Sequence, residues 1–178
     1  MSQLRMRRPD MRNLPEIQIP EGYAVRTYEP GDEIHWARII NASFGGKRGA
    51  EDARKEIIDR EQFAPEILFF VTHQGKPVGT ACAWRKAPDE TKTGYLHMVG
   101  VIPEHQGNSL GKLVSLCVLH YFKKHGFSEA MLDTDDNRLP ALKTYLNLGF
   151  RPVYRDDSHP KRWEAVSENL GVKIPESL

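Results

Sequence analysis

Val99-Gly100-Val101-Ile102-Pro103-Glu104-His105-Gln106-Gly107-Asn108-Ser109-Leu110-Gly111 is the stretch on which the fold turns. It reads as the end of a strand, a proline stop, a short polar loop with glycine, and the opening of a long helix. The helix is predicted over residues 110–124, because Leu110, Leu113, Val114, Cys117 and Tyr121 recur on one face and Gly126 follows. A loop entering a helix leaves backbone N–H groups without intrahelical partners and adds the positive end of the helix dipole. An anion such as a diphosphate suits that spot. Gly107 and Gly111 would let the backbone approach it closely. The segment is neither a P-loop, since no Gly-Lys-Ser/Thr follows, nor a dinucleotide fingerprint, since its glycines are wrongly spaced. On these grounds alone, an anion site and an ordinary glycine loop remain equal.

Outward from this stretch the chain alternates. Upstream, residues 95–101 are a strand, and residues 67–72 and 78–84 are strands joined by the hairpin signal Gln74-Gly75-Lys76. Before them stand a strand at 23–28, a helix at 33–43, the flexible loop 44–49 and a charged helix at 50–60. Downstream come a short strand at 129–133, a helix at 139–148 with an early Pro140 and a closing Gly149, a strand at 150–154 and a last helix at 160–170. This order predicts an α/β domain with a mixed central sheet and helices on both faces.

The 178 residues carry 25 Lys+Arg against 24 Asp+Glu, with mean hydropathy −0.55. A chain of this length can bury about 70% of its unfolded surface without staples. Its longest apolar run, residues 67–71, is far short of the roughly 18 residues of a membrane span. Cys82 and Cys117 are too few for a disulfide framework, and seven histidines show no metal-ligand spacing, so no metal is expected. No apolar leader follows Met1, and a cytoplasmic setting is the default. The charge is uneven. Arg5, Arg7, Arg8 and Arg12 against Asp10 give residues 1–12 a net +3, leaving 21 basic and 23 acidic side chains elsewhere. Such an arm could touch nucleic acid, phospholipid or an acidic partner, but it lacks interleaved aromatics. A solvated, frayed terminus is the simpler expectation, and nucleic acid is not an expected partner.

Residues 103–112, Pro-Glu-His-Gln-Gly-Asn-Ser-Leu-Gly-Lys, resemble the acyl-CoA loop of the GNAT superfamily of N-acetyltransferases. Gln106 matches the loop's first position and Gly111 its last, and Ser109 stands where the family usually has glycine. A second match lies in residues 138–150, which resemble the family's Asn-x-x-Ala-x-x-x-Tyr-x-x-x-Gly-Phe segment. There Ala141, Tyr145, Gly149 and Phe150 fall in register, Arg138 takes the asparagine slot, and Asn137 sits one residue early. The resemblance covers residues 22–155. Residues 1–21 are expected as an arm outside it, and residues 156–178 as a helical extension of the same domain, where the family usually ends in a strand.

The resemblance implies an acetyl-CoA-dependent N-acetyltransferase in which a primary amine attacks the thioester directly. Val99, Gly100 and Val101 would border the pantetheine arm. Gln106, Gly107, Asn108, Ser109, Leu110 and Gly111 would take the diphosphate, with Asn137 a further cofactor contact. Tyr145 would be the general acid that protonates the departing thiolate. The family's strand glutamate is missing, which leaves His97, Glu104 or water as general base. His97 alternates with Val99 and Val101 and titrates in a useful range, although a strand histidine is commonly a core residue. Asp133, Asp135 and Asp136 could attract a cationic amine or simply cap a loop. Phe44 and Trp84 are candidates to line the acceptor cleft, and Cys117 is expected to be inert packing. The acceptor is expected to be a small molecule or peptide, and a homodimer is possible through the last helix. The alternative is a GNAT-like domain that holds CoA without turnover.

Overall fold

The computed structural model describes residues 2–178. Seven strands form one sheet: β1 (Leu4–Arg8), β2 (Tyr23–Thr27), β3 (Leu68–His73), β4 (Lys76–Trp84), β5 (Thr93–Val101), β6 (Glu129–Thr134) and β7 (Arg151–Val153), in spatial order β2-β3-β4-β5-β6-β1-β7. Five helices accompany them: α1 (Glu33–Phe44), α2 (Ala50–Ala53, continued by a π turn over Arg54–Ile58), α3 (Leu110–Lys124), α4 (Leu139–Asn147) and α5 (His159–Leu170). The strands pair antiparallel throughout, except that β5 and β6 are parallel and are bridged by α3, as a parallel pair requires. From Pro77 onward every residue of β4 is buried, so both faces of the sheet centre are covered. The core runs from Trp36 and Phe70 through Phe122 to Phe150 and Trp163, all essentially inaccessible. The mixed sheet with helices is the expected fold class.

Local chemistry explains the turns. Gln74 and Gly75 both take positive φ, 49° and 76°, which is what a two-residue hairpin loop between twisted strands demands. Gly94 on β5 lies against Phe122 of α3, and a Cβ there would fall 2.6 Å from the ring. Gly100, further along β5, abuts Ser43 and Ile39 of α1 in the same way.

The N-terminal arm corrects the expectation of a frayed terminus. Residues 4–8 form β1, inserted between β6 and β7 and antiparallel to both. Leu4 and Met6 are fully buried, whereas Arg5 and Arg7 alternate to the other face. There Arg5 sits opposite Asp133 and grips it with Nε and Nη2, both at 2.9 Å, and Arg7 pairs with Glu129. Arg8 is buried, donating to the carbonyls of Leu148 and Arg12, so it caps the C-terminal end of α4 where a cation suits the dipole. Gly149 is required just there, because it has φ 83° and a Cβ would strike the Arg8 guanidinium. Arg5 and Arg7 are thus matched by acidic partners on β6, Arg8 by two carbonyls and Arg12 by Asp10, which leaves the arm little to offer a nucleic acid.

Candidate active site

β5 and β6 are paired only at Thr93↔Glu129, Gly94↔Ala130 and Tyr95↔Met131. Beyond Tyr95 they part: β6 continues beside β1, and the β6-facing edge of β5 has no strand partner among the described residues. The cause lies partly in β5 itself. Thr80 pairs with Gly100 and Cys82 with His97, so two residues of β5 oppose one of β4, and Met98 in that bulge has φ 52°. A bulge bends its strand and sharpens its twist. It also interrupts strict alternation, so the simple expectation that His97, Val99 and Val101 share one face does not carry through the bulge.

Two cavities open at the parting. The larger, about 380 Å³, is bordered by Val99, Gly100 and Val101 of β5, by Gln106, Gly107 and Ser109 to Lys112 of the loop and helix start, and by α4. The smaller, about 170 Å³, is bordered by Phe44, Tyr95, His97 and Asp133. Val99, Arg138, Ala141 and Tyr145 border both, so the cavities meet at these four side chains.

The floor of the larger cavity is a row of amides. The N–H groups of residues 107–112 have no acceptor among the described residues, and the first that does is Leu113, donating to Ser109 O at 2.9 Å. Gly107 (φ 84°) and Ser109 (φ 58°) both adopt the left-handed conformation that turns successive amides toward one point. The Gln106 side chain folds back onto Val101 O at 3.1 Å and the Asn108 side chain onto His105 O at 3.1 Å, so these two residues shape the loop with their side chains. Ser109 occupies its left-handed position without a side-chain cap bond. Glycine adopts that conformation freely, at the cost of a more disordered unfolded chain. Ser109→Gly is therefore expected to stabilise the protein by about 0.5–1 kcal/mol, seen as a small rise in Tm; a lower Tm would assign the hydroxyl a structural role.

Tyr145 is buried, its ring 6.0 Å from Phe150 in an edge-on arrangement, and its hydroxyl has no partner among the described residues. Burial pushes its phenol well above the usual range, partly opposed by the charge of Arg138, so the proton stays on through neutral pH. His97 is half-buried, near Trp84 and Tyr95. Burial and then the charge of Lys86 lower its pKa to about 4, against the pull of Asp133, so the imidazole is neutral at pH 7. Burial alone would raise the Asp133 carboxyl, but hydrogen bonds from Arg5 and Lys86 hold it down at about 2.

A family model described as the Acetyltransferase (GNAT) family matches residues 34–150. The chain belongs to this family. Among curated relatives, a mycothiol acetyltransferase of Thermomonospora curvata is 37% identical over 155 residues, covering 83% of this chain and 50% of that protein. One from Nocardia farcinica is 32% identical over 151 residues, with 80% and 50% covered. The chain thus spans about half the length of the curated relatives it matches. A solved GCN5-related N-acetyltransferase of Sphaerobacter thermophilus superposes with TM-score 0.69 at 23% identity, covering 85% of this chain and 49% of that one.

In this GNAT domain the expected site residues divide. Val99, Gly100, Val101, Gln106, Gly107, Ser109, Leu110, Gly111 and Tyr145 gather at the larger cavity, and His97 and Phe44 at the smaller. Asn108 and Asn137 are exposed and outside both cavities, and Arg138, next to Asn137, faces them instead. Glu104 is exposed in the short turn Pro103–His105, away from both. Trp84 packs beside His97 and lines neither cavity. Ser43 and Thr144 line the larger cavity without having been singled out from the sequence. Ser43 comes from α1, far away in the chain, and donates to Val101 O at 3.4 Å. Only the close approach of Gly100 to α1 brings it there.

Proposed function

We propose that this GNAT domain is an acetyl-CoA-dependent N-acetyltransferase that acetylates the primary amine of a small molecule by direct attack on the thioester. The observation that carries this is the meeting, at Val99 and Tyr145, of a cavity floored by unpartnered amides with a second, smaller cavity. The residues present suit an acyl-CoA. The amides of residues 107–112 match a diphosphate, and the unpaired edge of β5 offers backbone groups to the amides of a pantetheine arm.

When bound, acetyl-CoA supplies an activated acyl thioester. The chain does the rest. Tyr145 holds a proton at Oη where the cavities meet, ready for the departing sulfur. His97, kept neutral, borders the smaller cavity and can accept the amine's proton directly or through water. Its low pKa makes it a weak base, so its task suits an amine that reaches the site already near its neutral form. The name of these relatives, mycothiol acetyltransferase, supports a small-molecule acceptor. No described helix is long and apolar enough to cross a membrane.

The test is a pair of measurements on the full chain. Acetyl-CoA at about 100 times its Kd should stabilise the protein by about 2.7 kcal/mol, a Tm rise of roughly 5–10 °C. CoA release should then follow with some member of a primary-amine panel. No Tm rise would overturn the cofactor assignment. A Tm rise without turnover on any amine would favour the non-catalytic CoA-binding alternative.

A further inference from the structure

The smaller cavity has one carboxylate on its wall, Asp133, and that carboxylate is engaged on every side. Arg5 holds it through two nitrogens at 2.9 Å, Lys86 Nζ and Tyr95 Oη each donate to it at 3.1 Å, and Arg155 stands 3.7 Å away. Three cations surround one anion. An incoming ammonium therefore meets a surplus of positive charge, and the acidic cluster read from the sequence is not free to attract it. The other two acids of that cluster are also paired, Asp135 with Arg138 and Asp136 with Arg162.

A fourth cation borders both cavities. The Arg138 guanidinium lies 3.9 Å from the centre of the Phe44 ring and donates through Nε to Asp135 at 3.1 Å. Its two terminal nitrogens donate to no described residue. A planar guanidinium held against a ring and fixed at one nitrogen loses little entropy when its remaining donors bind an anion. Its fork matches the two oxygens of a carboxylate.

We propose that the acceptor is an amine that also carries a carboxylate, as an amino acid does, and that Arg138 binds this carboxylate while the cations around Asp133 favour its entry. The inference rests on the N-acetyltransferase assignment above. Its chemistry is coherent: a positive surround stabilises the carboxylate and disfavours the ammonium form of the same molecule, which raises the share of free amine able to attack. Polycations such as polyamines and aminoglycosides are disfavoured for the same reason.

The experiment measures CoA release from acetyl-CoA by the full chain with the twenty common L-amino acids, each paired with its C-terminal amide, and with spermidine and kanamycin. At least one amino acid is expected to exceed its amide in kcat/KM by roughly tenfold or more, the size of a charged, paired hydrogen-bond contribution. The polycations should stay at background. The comparison is stringent, because an amide's amine has the lower pKa and would otherwise react better. In Arg138→Gln the preference of acid over amide should collapse toward unity, and Arg138→Lys should retain part of it. An amide or polycation that equals or exceeds every amino acid would overturn the proposal, as would a preference unchanged in Arg138→Gln. So would a protein that is stabilised by acetyl-CoA yet acetylates none of the amino acids. The acetyl-CoA Tm shift, measured alongside for each variant, reports folding and cofactor binding. Its absence in the unmodified chain would instead strike the underlying N-acetyltransferase assignment, and this inference with it.

Discussion

Tyr145→Phe is expected to lower kcat by about a hundredfold while leaving acetyl-CoA affinity and stability nearly unchanged. General acids typically contribute 10²–10⁴-fold, and the lower end applies because a thiol with a pKa near 8.5 departs as thiolate without much help. The phenol sits where the two cavities meet, and burial keeps it protonated. A loss confined to kcat would mean that the hydroxyl acts in the transition state and not in ground-state binding. Stability should hold because the hydroxyl has no hydrogen-bond partner to lose and the ring packing against Phe150 survives. The same burial predicts no limb from Tyr145 in the rate–pH profile of the free enzyme below pH of about 10. Turnover within threefold of the parent would remove Tyr145 from the chemistry. A sharp fall in acetyl-CoA affinity would make it a binding residue.

Deleting residues 1–8 is expected to abolish cooperative folding. The deletion removes the strand between β6 and β7, so both lose their ladder partner and β7, only three residues long, is left with no neighbour. It also removes Leu4 and Met6, both fully buried. Truncating one buried Leu or Met costs about 2–5 kcal/mol, and a whole domain has only about 5–15 kcal/mol to lose. Loss of Arg5 adds a further penalty, because Asp133 would lose its bidentate partner. Met6→Ala is the graded version: a loss of about 2–5 kcal/mol, read as a lower denaturation midpoint with the slope unchanged. A truncated chain that melts within a few degrees of the parent would show that β1 is dispensable.

The expectation about the arm failed for a physical reason that is visible afterwards. Leu4-Arg5-Met6-Arg7 alternates apolar and basic residues, a strand signal, but four residues at a terminus are too few to outweigh the general tendency of termini to fray. The charges misled as well. Read along the chain they make a basic patch, whereas in space they face Asp133 and Glu129, more than 120 residues away. Cross-strand pairing of opposite charges depends on register, and register of a non-local strand is not written in either segment alone. The second departure has the same origin. Asn137 and Arg138 are adjacent, and only the way the chain enters α4 decides that Arg138 turns to the cavities and Asn137 to solvent.

Local periodicity and loop chemistry were enough for eleven of the twelve strands and helices: alternating strands, amphipathic helices and a glycine loop at a helix start specify themselves through neighbours in the chain. They also specified the row of amides at residues 107–112, since that geometry needs only backbone and positive φ. The tertiary structure decided what depends on distant partners. It set the place of β1 in the sheet and the parting of β5 from β6, and it joined two cavities at Tyr145. It also turned an acidic cluster into a set of occupied ion pairs. A carboxylate attracts a cation only while it is unpaired, and pairing across the sheet is a property of the folded chain.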